Sequence, residues 1–144
     1  MIVYFDTSAL VATYVQDECT PEATQARRQA SAIATSALAY AETLAAFGAM
    51  TRARHLTRAQ RIKVESRFLA DWPAFHRVRL EQRLLPDVRR ILSRHALKGA
   101  DGVHLASACL VARGCANAGL ESSFACDDRA LCAAAALEGL SLAW

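Results

Sequence analysis

The chain has 144 residues, 53% of them hydrophobic and 22% charged, with 6 Gly, 3 Pro and a formal net charge of +3. That is one domain spanning 1–144, long enough to bury roughly 70% of its unfolded surface. Its composition excludes disorder, collagen-like repeats and a long linker. Five Cys with no CxxC pair point to reduced core thiols in a cytoplasmic protein rather than a disulfide framework or a zinc site. The opening Met1-Ile2-Val3-Tyr4-Phe5 has no basic stretch before it, so no secretory signal is expected.

Ile2 to Phe5 is a short apolar run suited to a buried parallel strand. Thr7 to Gln16 reads as a helix, and Pro21 takes the first position of another running to about Ala30. Ser31 to Met50 carries no Lys or Arg, but Glu42 near its middle speaks against a membrane span. It reads instead as a strand, Ala32 to Thr35, and a buried helix, Ala37 to Arg54, with Glu42 about two turns in. Thr57 is a good N-cap for a helix from Arg58 to about Ala70. Phe75 to Leu80 alternates like a strand, and Gln82 to His95 is a basic amphipathic helix that Pro86 delays or kinks.

Asp101 to Arg113 is a helix stopped by Gly114. Ser122 to Cys126 is a strand, Arg129 to Glu138 a helix, and Gly139 its stop; Ser141 to Trp144 is placed to close the sheet. Strands alternating with helices give an α/β fold with a parallel sheet, whose ligand site lies at the carboxyl ends of the strands.

The charge is segregated. From Arg52 to Lys98 there are thirteen basic and four acidic residues, a balance of +9, against −6 for the rest of the chain. Fifteen of the seventeen basic residues are Arg, whose planar fork suits phosphate. A solvated helix face and a nucleic-acid-binding face both fit this pattern. The acids are more telling. Asp6, Glu42 and Asp101 are each the one Asp, Glu, Lys or Arg in 1–16, 31–50 and 99–112, and Asp127-Asp128 follows the run from Ser122 to Cys126. A lone carboxylate in an apolar segment is costly to bury unless paired or metal-bound.

Asp6 ends the first strand and Asp127-Asp128 the last, so they can meet at one edge of the sheet; Glu42, about two turns into its helix, and Asp101, at the start of another, can face the same crevice. Like charges so close need compensation. An oxygen-only donor set without a His or Cys cluster favours Mg²⁺, or Mn²⁺ in its place, over zinc. Such an ion polarises a phosphodiester and activates water, and a basic flank would hold a polyanion. Acidic centre and basic flank predict a metal-dependent nuclease.

The same residues resemble a known family. Ile2-Val3-Tyr4-Phe5-Asp6-Thr7-Ser8-Ala9-Leu10 is similar to the opening strand and Asp-Thr/Ser-Ser motif of PIN domains, and Ser36-Ala37-Leu38-Ala39-Tyr40-Ala41-Glu42 to their second acidic motif. Leu97 to Ala106 resembles their Asp-x-x-His-Leu-Ala helix, and Phe124 to Leu131 their fourth motif, where an apolar residue three positions on favours Asp128 over Asp127. The similarity covers essentially the whole chain, and the size fits the VapC toxins of type II toxin–antitoxin systems. The resemblance implies an α/β/α sandwich and a Mg²⁺-dependent endoribonuclease, inhibited by a cognate VapB-type antitoxin and commonly a homodimer. It implies Asp6 and Asp101 as principal metal ligands. Glu42 and Asp128 would complete the site directly or through water, and products would carry 5′-phosphate and 3′-hydroxyl ends. Cys126 departs from the family's usual Ser or Thr, and a thiol is the weaker hydrogen-bond partner.

Each residue has a plainer reading. Asp6 and Asp101 are at helix starts, where Asp is a favoured N-cap. His104, one turn after Asp101, reads as a packing histidine rather than a base. Thr7 and Ser8 are equally explained by capping and by orienting Asp6. Tyr14, Tyr40 and Phe47 read as core rather than as base-stacking rings. Two other functions compete. One is a catalytically silent PIN-like module that binds RNA or protein, for which Cys126 is the sequence support. The other is a phosphatase with Asp6 as nucleophile, against which stands Ser8 where such enzymes place a second Asp.

Overall fold

The computed structural model describes residues 1–15 and 20–144. Four strands, β1 (Ile2–Phe5), β2 (Ala32–Ser36), β3 (His76–Val78) and β4 (Ser122–Ala125), form one sheet in the order β3-β2-β1-β4. Every pairing is parallel, with Val3 beside Ile33 and Ser123, and Thr35 beside Arg77. Alternation along β1 divides the core. Val3 and Phe5 pack with Leu10, Tyr14, Phe47 and Phe68 on one face; Tyr4 packs with Phe124, Ile91, Leu105 and Leu131 on the other. The first layer comprises α1 (Thr7–Ala12), α2 (Thr20–Gln29), α3 (Ala39–Arg52) and α4 (Arg58–Asp71); the second, α5 (Leu85–Arg94), α6 (Gly99–Asn117) and α7 (Arg129–Leu137). The result is a three-layer α/β/α sandwich around a parallel sheet, and each fully buried ring contributes about 1.5–3 kcal/mol by leaving water.

Several boundaries differ from the sequence reading for local reasons. α1 ends at Ala12, because Thr13 turns its amide and its hydroxyl back onto the Leu10 carbonyl; Gln16 lies outside the described residues. Pro86 stands in the first turn of α5, after a single 3₁₀ turn at Gln82–Leu84, where its missing N–H has no partner to lose. α6 begins at Gly99 rather than Asp101 and runs through Gly114 to Asn117. A glycine alone costs a helix about 1 kcal/mol, which packing of α6 against the sheet outweighs. The stop is Gly119, at φ 67°, a left-handed conformation that glycine adopts without strain. Ser141 to Trp144 adds a single parallel bridge, Phe124 to Leu142, on the outer side of β4. No helix among the described residues is long and apolar enough to cross a membrane. Cys109, Cys115, Cys126 and Cys132 are free thiols.

Candidate active site

β1 and β4 run side by side and end together, the Asp6 amide donating to the Ala125 carbonyl at 3.0 Å. Asp6 therefore leaves the sheet beside the Cys126-Asp127-Asp128 turn. β2 feeds α3, which starts at Ala39, so Glu42 lies in the first turn rather than two turns in. Asp101 lies in the first turn of α6, three residues past its N-cap, Lys98, so it does not cap that helix. Asp6, Glu42, Asp101, Asp127 and Asp128 all line one open cleft of about 420 Å³ at this edge of the sheet. A more enclosed cavity of about 190 Å³ lies between β4 and α6, lined by Ala108, Val111, Ala112 and Leu140 among others and by no carboxylate. Chemistry rather than enclosure singles out the acidic cleft.

The acids are held individually. Asp6 is 5% exposed; it caps α1 by accepting from the Ala9 amide at 2.8 Å, and the Ser8 hydroxyl donates to its carboxylate, 2.9 Å from each oxygen. Burial pushes its pKa up to about 6, and the Asp101 charge adds to the rise; the Ala9 and Ser8 bonds and His104 oppose it. Glu42 Oε2 accepts from the Thr7 hydroxyl at 2.5 Å and stands 2.8 Å from His104 Nε2. Burial would raise this carboxyl, but those two bonds hold it below its ordinary value. Asp128 caps α7, accepting from the Leu131 amide at 2.8 Å. Leu131 is the apolar residue three positions on, so motif and cap are one feature. Asp127 makes no such bond among the described residues.

Among the described residues, no salt bridge reaches Asp6, Asp101, Asp127 or Asp128. Lys98, from the basic stretch, also lines the cleft. Other members of that stretch turn to partners outside the cleft, Arg61 to Glu65, Arg83 to Glu81, and Arg90 and Arg94 to Glu138. Nor do any three His, Cys, Asp or Glu side chains of the described residues stand close enough to enclose a metal ion. An oxygen-only set that lines a cleft without closing into a cage fits a hydrated Mg²⁺, which keeps several waters and takes one or two carboxylates plus phosphate oxygens.

Comparison with known proteins identifies the family. The family model described as PIN domain matches residues 3–137. The chain belongs to the PIN-domain family. Within it, the chain is 34% identical over 110 residues to Ribonuclease VapC45 and to Ribonuclease VapC49 of Mycobacterium tuberculosis, 76% of this chain and of each relative. In fold it is similar to the crystal structure of Mycobacterium tuberculosis VapC20, a sarcin–ricin loop cleaving toxin, with TM-score 0.62 and 18% identity over 92% of this chain and 94% of that one. A toxin–antitoxin complex from Klebsiella pneumoniae matches with TM-score 0.58 and 18% identity, over 88% and 86% of the two chains. This PIN domain is of the VapC type.

Three side chains of the PIN-domain cleft carry more than their plain sequence readings gave them. Ser8 and Thr7 bond two different acids, and neither caps α1, which Asp6 does. His104 is 2% exposed, as a packing residue would be, yet its ring reaches Glu42 and Thr7. The available signal was its spacing, since positions 101 and 104 share a helix face. Cys126 donates from Sγ to the Asp128 carbonyl at 3.6 Å rather than to the carboxylate, and burial drives its thiol far above the ordinary value. Tyr14 and Phe47 are core rings, as read. Tyr40 is 39% exposed while its ring packs on Phe68 and Trp72.

Proposed function

We propose that this PIN domain is a Mg²⁺-dependent endoribonuclease and the toxin of a type II toxin–antitoxin pair. The observation that carries the reading is one cleft lined by Asp6, Glu42, Asp101 and Asp128, in which Asp6 is buried with no ion-pair partner among the described residues. Asp6 and Asp101 would hold the divalent ion, with Glu42 and Asp128 completing its surroundings directly or through water. When bound, such an ion polarises the phosphodiester and supplies hydroxide at neutral pH; Mn²⁺ is expected to substitute.

The protein's own part is preorganisation. Ser8 and the Ala9 amide fix Asp6, Thr7 and His104 fix Glu42, and the Leu131 amide fixes Asp128. None of these acids has to reorganise when substrate arrives, which is where electrostatic catalysis gains most. Lys98 offers a phosphate-binding charge at the cleft. Metal-dependent hydrolysis of the kind the family resemblance implies would leave 5′-phosphate and 3′-hydroxyl ends. A cognate VapB-type antitoxin is the proposed partner, a homodimer the proposed assembly, and the cytoplasm the proposed compartment; the VapC relatives and the similar toxin–antitoxin complex support the pairing.

The test is cleavage of structured RNAs by antitoxin-free protein in Mg²⁺, Mn²⁺ or EDTA, beside Asp6→Asn and Asp101→Asn. Metal-dependent cutting that both substitutions abolish is the expected result. Wild type and variants cutting alike would trace the activity to a contaminant. Absence of both cutting and Mn²⁺ binding would favour the catalytically silent binding module.

A further inference from the structure

The least expected feature of the cleft is that one oxygen of Glu42 is already occupied. Oε2 takes both the Thr7 hydroxyl at 2.5 Å and His104 Nε2 at 2.8 Å, while Oε1 makes no hydrogen bond among the described residues. His104 Nε2 also stands 3.0 Å from Thr7 Oγ1, and on the other side of the ring Nδ1 meets the Tyr4 hydroxyl at 3.1 Å. These contacts fix the hydrogens. The single Thr7 hydrogen points at Oε2, so Nε2 faces two acceptors and must itself be N–H. Tyr4, 1% exposed, is a phenol that keeps its hydrogen at neutral pH, and in the neutral ring Nδ1, 3.1 Å away, accepts it. A directed chain thus runs from Tyr4 O–H to Nδ1 and from Nε2–H to Glu42 Oε2. Tyr4 belongs to the core face opposite Val3 and Phe5, so the chain ties the aim of Glu42 to packing on the far side of the sheet.

We infer that His104 is a positioning residue: oriented by Tyr4 and aided by Thr7, it clamps Oε2, so that Glu42 presents Oε1 alone to the cleft. Without the clamp the carboxylate rotates about its own axis and offers either oxygen, or both, to whatever occupies the cleft. Groups that orient ligating carboxylates and imidazoles in this way are typically worth about 10–100-fold in metal affinity or activity.

The inference rests on the nuclease reading for its kinetic measurements and on the geometry alone for the others. Two substitutions of similar polarity separate the clamp from mere packing. In His104→Gln the side-chain amide nitrogen takes the place of Nε2 and still donates to Oε2. In His104→Asn it takes the place of Nδ1, and the donation is lost. We expect His104→Asn to lower kcat about 10–100-fold with KM for RNA unchanged, and to weaken Mn²⁺ binding to RNA-free protein in calorimetry; His104→Gln recovers most of both. Thr7→Val, close in shape and without the hydroxyl, moves both quantities in the same direction as Asn and serves if either His104 variant melts below the assay temperature. Imidazole ¹⁵N resonances of the wild type, without metal or RNA, should show Nε2 protonated and Nδ1 as acceptor. Equal kcat and Mn²⁺ affinity in the Asn and Gln variants, or an Nδ1–H tautomer, would overturn the clamp. If wild type cuts no RNA, the nuclease reading fails, while the Mn²⁺ affinities and the tautomer still decide the role of His104.

Discussion

Two carboxylates of this protein expose little side-chain surface to water and are treated in opposite ways. Asp6 is 5% exposed as a whole residue and lies deep; the Glu138 side chain is 6% exposed on a partly buried residue, sheltered near the surface by the side chains that pair with it. Glu138, at the end of α7, is covered by its own cations: Arg90 at 2.6 Å, His95 at 2.9 Å and Arg94 at 3.4 Å. Burial would raise its pKa, but His95 and Arg90 hold it below the ordinary range. Asp6 is covered by the body of the protein and given only hydroxyl and amide donors, and its pKa rises to about 6. Glu138 comes with its counter-charges; Asp6, the proposed metal ligand, comes without an ion-pair partner among the described residues. The contrast separates the two roles more cleanly than exposure does, since strongly perturbed acids occur in both.

The largest expected effect lies on the cleft side of this contrast. Asp6→Asn and Asp101→Asn should each lower Mg²⁺-dependent RNA cleavage by at least about 1000-fold, roughly 4 kcal/mol of barrier, measured on labelled RNA at saturating metal. The same Asp6→Asn should strengthen the metal-free fold. With a folded pKa of about 6 against an ordinary 3.8, the folded state holds more protons than the unfolded state between these values. Stability therefore falls as pH rises through that window, by about 3 kcal/mol in all, and stays low above it. In EDTA at pH 8, Asp6→Asn should melt higher than wild type, because Asn caps a helix as well as Asp does. Mg²⁺ should then raise the melting point of wild type and not of the variant. A melting-point gap in EDTA between Asp6→Asn and wild type that does not widen from pH 4 to pH 7, about the window those values define, would break the contrast.

Glu138→Gln probes the other side. It leaves Arg90, Arg94 and His95 sharing a neutral amide and should cost about 1–2 kcal/mol of stability, with cleavage per folded molecule unchanged. Its pH dependence has the opposite sign to that of Asp6. A lowered carboxyl contributes stability that is present above its ordinary value of 4.5 and lost as pH falls through the lower folded value. The wild-type melting point should therefore drop in acid, and the Glu138→Gln melting point should drop less.

Much of the cleft was legible because its acids interrupt apolar segments; Asp6, Glu42, Asp101 and Asp128 all reach it. Glu138 was not legible as their opposite, because its partners lie 43 and 48 residues away in sequence on another helix, and charge pairing at that range leaves no periodic signal. The sheet read well since β1 is a short apolar run and the other strands fall between helices; β3, read from alternation over Phe75 to Leu80, pairs only over His76–Val78. Helix ends read poorly wherever tertiary packing overrode a local stop. Gly114 is carried inside α6, whereas at Gly102 a Cβ would lie 2.5 Å from Leu92 Cδ2 on α5, so any larger residue there would have to displace the Leu92 side chain. That close approach seats the first turn of α6, and with it Asp101, against the neighbouring helix. His104 looked like packing because it is packing as well: a buried ring that also bonds Glu42 differs from a plain core histidine only through partners 62 and 97 residues away.

The smallest expected effect concerns Cys126, the one departure from the family pattern. Its Sγ is buried, donates at 3.6 Å to the Asp128 carbonyl, and is joined by Cys132, whose thiol donates to the Cys126 carbonyl at 3.4 Å. Burial raises both thiols, so neither adds a negative charge beside Asp6 or Asp128. The Asp128 carboxylate is aimed by the Leu131 amide rather than by residue 126. Cys126→Ser exchanges a weak S–H bond for a stronger O–H bond and gives up some apolar burial, terms that nearly cancel. Stability should move by no more than about 1 kcal/mol, and cleavage should stay at the wild-type rate. A large gain in cleavage would mean that the thiol holds the last acid back from its working position, and that the α7 cap does not fix Asp128 alone. The two-sided comparison would then need a third kind of carboxylate, one whose backbone is placed by a neighbour and whose charge is placed by a cap.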